Sequence, residues 1–540
     1  MVPRLGATVD VREVDGCDME CGCQHAGISL SKATRDLPGA ELRGDADVLD
    51  VTDDSRCVRQ GALFCAVPGT QRDGHAFVDD AVAAGASALL VKRFVDAPVP
   101  QVRVPAVRPA VGPVAAAVHG YPADALAVAA VTGTDGKTTT VHLIEAALAA
   151  AGYRTGLVST VEARMPGARS PAALTTPGAA ELQRTLCRMR AEGVQAAGME
   201  VSSHAVDQHR TDAVTADVAV FTNLSPEHLD YHGTVEQYYA TKAALFTPDC
   251  CRRAVINIDD SWGKRLAAQA KVPTVTVGRA GQADVRVAST SDELRVVVQD
   301  GVDRVELATP AVGQAANLAA AYAAARLMGV SRRDAVVGLG AAPPPGRYQR
   351  VDADQPFQVV VDFAHTPRAL TQLIATARRA SRGRVHLVVG SAGNRDRFNR
   401  PDMGRVALTA DSAIFTADDP HDEVPEEIIA QMLTGTIGRA GAAIVVERDR
   451  WKAITAAIER AEPGDVVLIA GRGHERYQTV EGIQHPFSDV AVAEAALADK
   501  GWSRRPAASR PNSAAPTGVP RMRSAHPGWR RSGESRGECR

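Results

Sequence analysis

The chain has 540 residues, 45% of them hydrophobic and 4% aromatic, with a formal net charge of −2. That length exceeds a single hydrophobic core and predicts about three domains. Near-neutral charge gives no bulk electrostatic case for nucleic acid, and no apolar run of about eighteen residues or basic-then-apolar N-terminus points to a membrane. Nine cysteines are too sparse for a disulfide framework and predict a reducing, cytoplasmic setting.

Residues 1–40 carry mixed charge and no sustained periodicity, and are expected to form a poorly ordered leader. Cys17, Cys21, Cys23 and His25 lie close together there, but their spacing fits no zinc pattern well. Across 41–124, short strands (Ala62–Val67, Ala88–Val91) alternate with a helix over Phe77–Ala84, giving an α/β module. Ser55, Thr70, Gln71 and Arg72 fall in its loops, where a small domain would hold a ligand.

The central domain, 125–344, is organised around VTGTDGKTTT at 131–140. An apolar run leads into it and an amphipathic run follows, which reads as strand, tight loop, helix. Gly133 and Gly136 let the backbone approach phosphate oxygens, and the helix N-terminus offers unpaired N–H groups to an anion. Lys137 is placed to reach the terminal phosphates, and Thr138 carries the hydroxyl expected on Mg²⁺. With Thr134, Asp135 and Thr139 these residues form the expected ATP site, although the loop has Val131 where the common pattern has its first Gly.

Further strands follow. Ala196–Val201 delivers Glu200 and then Ser202, and Asp217–Thr222 delivers Asn223 and SPEHLDYHG. Polar residues at the carboxyl ends of successive strands mark the ligand edge of an open α/β sheet. Glu200 and His228 are therefore metal-ligand candidates, since Mg²⁺ beside a triphosphate takes one or two protein ligands plus phosphate and water. The guanine-reading N-K-x-D pattern is absent, and Asn257 is placed to read a purine edge. An Ala-rich helix, Ala315–Met328, closes the domain, and PPPGR at Pro343–Arg347 reads as a hinge.

A third unit, 345–502, has four parallel-type strands ending in DFAHTP, GSAGNRDR, DDPHDE and GRGHE, which predicts a second ligand crevice. Residues 503–540, with nine Arg against two Glu and no periodicity, are expected to be a disordered, dispensable tail.

In order, GTDGKTTT, LTTPG, MEVSSHAVDQHR, FTNLSPEHLDYHG, YYATKAALF, PGRYQ, VVVDFAHTP, GSAGNRDRFNRPDMG and AGRGHERYQ resemble the motifs of the Mur ligases, the ATP-dependent amino-acid-adding enzymes of peptidoglycan synthesis. The likeness spans Asp47–Ala498 and is greatest to the MurE branch, which adds the third residue to UDP-N-acetylmuramoyl-L-alanyl-D-glutamate. It implies an α/β architecture of three domains: an N-terminal UDP-binding domain, a central P-loop ATPase and a C-terminal Rossmann-like domain. Ser55 and Thr70–Arg72 match positions that hold the UDP-sugar, while Thr175, Thr176, Ser202, Gln208 and Arg210 match positions around the sugar and dipeptide. Glu200 and His228 match Mg²⁺ ligands, and Lys242 matches a lysine carried as a carbamate, an oxygen anion where an ammonium would repel the metal. Arg347 and Asp362 match nucleotide contacts. Arg395, Asp418, Asp419, His421, Gly471 and Glu475 match the grip on the incoming amino acid.

The implied partners are a UDP-N-acetylmuramoyl dipeptide and a free amino acid, on a cytoplasmic monomer with ATP and Mg²⁺. Three features depart from the family pattern, one being the Arg-rich tail, which has no counterpart there. The helix entry VGQAANLAA retains one Asn, Asn317, and the amino-acid motif reads Asp-Asp-Pro-His where diaminopimelate-adding members have Asp-Asn-Pro-Arg. The competing readings are a folylpolyglutamate synthetase-like ligase, a non-catalytic UDP-sugar-binding relative and a P-loop kinase. The first would not need the module containing DDSR and GTQRDG. Lys137, Glu200, His228 and Lys242 argue against the second, and DFAHTP with the C-terminal unit against the third.

Overall fold

The computed structural model describes residues 27–69, 72–291, 295–308, 314–340 and 344–502. The expected leader is shorter than its assigned span of 1–40. Strand Ile28–Ser29 pairs with Asp47–Val48, and helix Leu30–Thr34, capped by the Ser29 hydroxyl, drives Leu30 into the first core. A helix of five residues is too short to register as periodicity. Cys17, Cys21, Cys23, His25, Thr70, Gln71 and the Arg-rich tail lie outside the described residues.

The first domain is a five-stranded sheet in the order Glu41–Arg43, Gln101–Arg103, Ala86–Val91, Ala62–Cys65, Asp50–Thr52, the last four parallel. Its inner strands, ALFC and ASALLV, are apolar on consecutive residues because both faces are covered. The expected helix is α-helical over Val78–Ala83, after a 3₁₀ turn that Asp73 caps.

The central sheet has eleven strands. Its parallel middle runs Thr155–Val158, Ala196–Glu200, Ala127–Thr132, Val218–Phe221, Ala254–Asn257, Thr274–Gly278. Alternation along Ala127–Thr132 sends Ala129 and Val131 into one core, with helices Lys137–Ala150 and Ala315–Leu327. Val128 and Ala130 go to the opposite core, with helices Ala179–Ala191 and Val235–Ala243. Antiparallel hairpins extend both edges.

The third domain adds a six-stranded sheet, Gln349–Arg350, Gln358–Asp362, Val466–Ala470, Val385–Val389, Ser412–Phe415, Ala443–Val446, the last five parallel. The four expected strands are present. The fifth, Ala443–Val446, escapes a hydrophobicity reading because it is an edge strand with three of its four side chains exposed. No described helix is long and apolar enough to cross a membrane.

Candidate active site

The carboxyl ends of strands from the central and third sheets open onto one cavity of about 790 Å³, as the sheet topology requires of a ligand crevice. The phosphate loop forms one wall. Gly133 is irreplaceable: at φ +144° its Cβ would lie 1.9 Å from the Thr222 hydroxyl. Gly136, at φ +85°, leads into helix Lys137–Ala150 with the Asn317 amide against it, so the one retained Asn braces the loop. Asn223 holds the same loop from the next strand, accepting from Asp135 N at 3.0 Å and donating to Asp135 O at 2.9 Å. Thr134, Asp135, Gly136, Lys137, Thr138 and Thr139 all line the cavity. The Lys137 ammonium rests on the carbonyls of Gly133 and Thr134.

Beside the loop, Glu200 is fully buried at the end of its strand. Its Oε2 accepts from the Thr138 and Thr160 hydroxyls, each at 3.1 Å, and its Oε1 from Thr160 N at 2.9 Å. His228 sits at φ +54° before a short helix, and burial pushes its pKa down to about 4, leaving the imidazole neutral with a lone pair to offer. Thr138 and Glu200 supply adjacent oxygens, a donor pair that suits Mg²⁺ beside phosphate, and His228 lines the same cavity with its ring nitrogen near Asp230 and Asp396.

Lys242 does not line the cavity. It lies beneath the phosphate loop, 1% exposed, donating to Gly133 O at 2.9 Å. Burial, then repulsion from Lys137, holds its amine well below the ordinary lysine pKa.

The third domain completes the site. Arg347 donates to the Thr138 hydroxyl at 3.1 Å and stacks on the Phe363 ring at 4.1 Å. Asp362 lines the cavity and accepts from Tyr348 N. Asn257 also lines it, but its amide bridges Thr222 O and Asp259 N, so most of its hydrogen-bonding capacity goes to the backbone. Arg395 and Glu475 reach the cavity from the loops Ser391–Arg395 and Gly471–Glu475.

The other expected amino-acid residues stand behind those two. Gly471, at φ +115°, would place a Cβ 2.0 Å from Asp418 Oδ2. His421 Nε2 accepts from the Arg395 guanidinium at 3.3 Å and lies 3.4 Å from Asp419 Oδ2. Burial, then the Asp418 charge, pushes Glu475 up to about 7. Its carboxyl is therefore largely neutral below that pH and ionises above it. An ammonium-bearing substrate held by Glu475 should show a KM that falls as pH rises from about 6 to 8, and Glu475→Gln should flatten that limb while raising KM.

Of the residues expected at the UDP-linked substrate, Thr175 lines the cavity. Thr176, Ser202, Gln208 and Arg210 form a bracket next to it. The Thr176 hydroxyl donates to Glu200 O, Ser202 caps helix Ser203–Asp207, and Arg210 ties Thr176 O to Gln208. Ser55 and Arg72 belong to the first domain and are not among the cavity-lining residues.

Thr160, Glu227, His365 and His474 are among the cavity residues that the sequence does not single out as site residues. Glu227 is buried and accepts from His365 of the third domain at 3.2 Å. Burial alone would raise its pKa, but the hydrogen bond from His365 outweighs it and keeps Glu227 ionised. Glu227, His365 and His474 lie within motifs already quoted, SPEHLDYHG, DFAHTP and GRGHE, next to residues that had been chosen. Thr160 carried no signal beyond following a strand.

Comparison with known proteins decides the family. The Mur ligase family catalytic domain matches residues 50–130, the Mur ligase middle domain 131–325, and the Mur ligase glutamate ligase domain 346–473. The chain belongs to the Mur ligase family. It is 41% identical over 487 residues to a UDP-N-acetylmuramoyl-L-alanyl-D-glutamate--2,6-diaminopimelate ligase of Streptomyces coelicolor, covering 87% of this chain and 96% of the relative. A ligase of the same description from Gloeobacter violaceus is 42% identical over 479 residues, with 86% and 96% covered. A solved structure of such a ligase superposes with a TM-score of 0.63 at 31% identity, covering 88% of this chain and all of that one. This Mur ligase is thus an ATP-dependent enzyme that forms an amide bond, with the three-domain architecture of its relatives.

Proposed function

We propose that this ligase joins a diamino acid to the D-glutamyl carboxylate of UDP-N-acetylmuramoyl-L-alanyl-D-glutamate. The reading rests on one observation: a single cavity is lined both by Lys137, Thr138 and Glu200 and by Arg395 and Glu475. A phosphoryl donor and an incoming amine therefore meet in one enclosed place. The γ-phosphoryl group passes to the glutamyl carboxylate, giving an acyl phosphate and ADP. The amine then attacks the acyl carbon, the C–O bond to phosphate breaks, and phosphate leaves as the amide forms. Lys137 neutralises charge on the transferring group.

Thr138, Glu200, His228 and Lys242 as a carbamate are the residues that would hold Mg²⁺, which when bound supplies positive charge to the phosphate oxygens. Glu475 is the anionic partner for a substrate ammonium group and Arg395 the partner for a carboxylate, with Asp418 and Asp419 standing behind them. No nucleophilic Ser or Cys is required, because positioning across two closed domains carries the reaction. The ligase's nucleotide-linked substrates support a cytoplasmic setting.

The test is incubation with ATP, Mg²⁺, the UDP-linked dipeptide and a panel of amino acids, following phosphate release and product mass. A product heavier by one amino-acid residue supports the reading, and ATP turnover without such a product rules it out. His421 refines the expectation. Where the resemblance calls for a guanidinium, which would pair with a distal carboxylate in bidentate fashion, this chain has an imidazole that accepts from Arg395. Preference for diaminopimelate over lysine should stay under about a hundredfold, or ~2.7 kcal/mol, and His421→Arg should raise it. A larger preference in the unmutated ligase contradicts this view of the loop.

A further inference from the structure

The Glu200 carboxylate is oriented from two sides, and each side leads back to the third domain. One arm runs from Arg347 through the Thr138 hydroxyl. That hydroxyl accepts from the guanidinium at 3.1 Å and donates its single proton to Glu200 Oε2 at 3.1 Å. The other arm runs from His474 through Thr160. The His474 Nε2–H donates to Thr160 O at 3.3 Å, and Thr160 donates both its N–H and its hydroxyl to the two Glu200 oxygens.

The Thr160 hydroxyl also lies 3.2 Å from that of Thr175. The Thr160 hydroxyl is the donor in that contact, so its single proton is shared between Thr175 and Glu200 Oε2, while its N–H serves Glu200 Oε1 alone. Thr160 is therefore fixed on three sides, and its carbonyl is the contact open to the other domain.

His474 is itself held firmly. Its ring packs 5.3 Å from that of Phe363, and its main-chain N sits where a Cβ on the hinge residue Gly346 would fall, 2.1 Å away. His474 also directly precedes Glu475 in the loop assigned to the amino acid. Anything that shifts or steadies Gly471–Glu475 therefore acts on the Thr160 carbonyl, and through Thr160 on both oxygens of Glu200. The terminal torsion of a carboxylate is broad, and the bonds from Thr160 to both oxygens fix the plane of the group.

We propose that His474 and Thr160 are a positioning pair that couples the amino-acid loop to the metal-binding carboxylate, so that amino acid and metal–nucleotide strengthen each other's binding. This rests on the assignments made above for Glu200 and the Gly471–Glu475 loop. Coupling of this kind is reciprocal, so it can be read from either ligand.

The experiment uses the full chain with Mg²⁺ and the β,γ-methylene analogue of ATP, titrated calorimetrically with and without saturating diaminopimelate. The unmutated ligase should bind the Mg²⁺-analogue about fivefold or more tightly when the amino acid is present. His474→Phe keeps an aromatic ring against Phe363 but loses the donor, and should bring the enhancement close to one. His474→Gln, which keeps an N–H, should recover part of it. Thr160→Val removes only the hydroxyl arm and should lower the enhancement independently, which guards against misfolding of either His474 variant.

Glu200→Gln separates the layers of the argument. If it leaves the Mg²⁺ dependence of analogue binding unchanged, the metal assignment is wrong and the coupling proposal falls with it. If it weakens that dependence while His474→Phe and Thr160→Val keep the full enhancement, the assignment stands and the positioning pair alone is overturned. Absence of any enhancement in the unmutated ligase also overturns the pair.

Discussion

Lys137→Ala should abolish ligation, by about 10³-fold or more in turnover, while the UDP-linked dipeptide still binds. Removing one preorganised charge-stabilising donor typically costs 10²–10³ in rate, and Lys137 is more than a neutral donor. It carries a full positive charge at the start of helix Lys137–Ala150, the end where an anion is already favoured. In the structure its ammonium is held by two loop carbonyls, and among the described residues no carboxylate is bonded to it, so it can turn to phosphate oxygens. Ser55 and Arg72, assigned by resemblance to the UDP-sugar, belong to a domain with its own sheet, and the cores around that sheet do not include the phosphate loop. The two losses should separate: turnover from phosphate release, and substrate affinity from calorimetry. Turnover within tenfold of the unmutated ligase would show that the loop has been misassigned.

Lys242→Ala should also remove most activity, and for a different reason. An ammonium at this depth faces desolvation and the Lys137 charge, which hold the amine well below the ordinary lysine pKa and favour its neutral form. A neutral buried amine is the form that adds CO₂, giving a carbamate and releasing a proton. That converts a would-be cation into an oxygen anion near Glu227, His228 and the phosphate loop. Bicarbonate should support the unmutated ligase, and acetate or formate should restore part of the turnover of Lys242→Ala, because the missing element is an anion. No rescue by any short carboxylate, with an unmodified lysine mass in the active protein, would sink the carbamate assignment.

The two lysines show what the sequence made legible. Lys137 declares itself by local chemistry, since glycines, strand and helix in a short stretch leave few other readings. Lys242 does not: in VEQYYATKA it looks like a solvated helix lysine, and only the family resemblance marked it. Its burial arises because Thr234 caps the helix and the same face that buries Tyr238 packs toward Gly133, 109 residues away in sequence. Parallel strands were read well because continuous apolar runs flanked by glycine have few alternatives. Edge elements such as Ala443–Val446 and the first helix, Leu30–Thr34, were missed because short or half-exposed segments carry little periodicity.

Residues whose role exists only across the domain interface were the least legible. Glu227 with His365, and Thr160 with His474, are 138 and 314 positions apart. Nothing local in either partner announces the other. The amino-acid loops lie between these extremes: their motifs were visible, but the packing of His421 against Arg395 required three dimensions.

The central claim is that the glutamyl carboxylate is phosphorylated before the amine attacks. It is tested most directly by supplying the UDP-linked dipeptide with ¹⁸O in its D-glutamyl carboxylate and reading the phosphate released during ligation by mass spectrometry. Transfer of one ¹⁸O into inorganic phosphate for each amide formed is the predicted result. Amide formation with unlabelled phosphate would contradict the account.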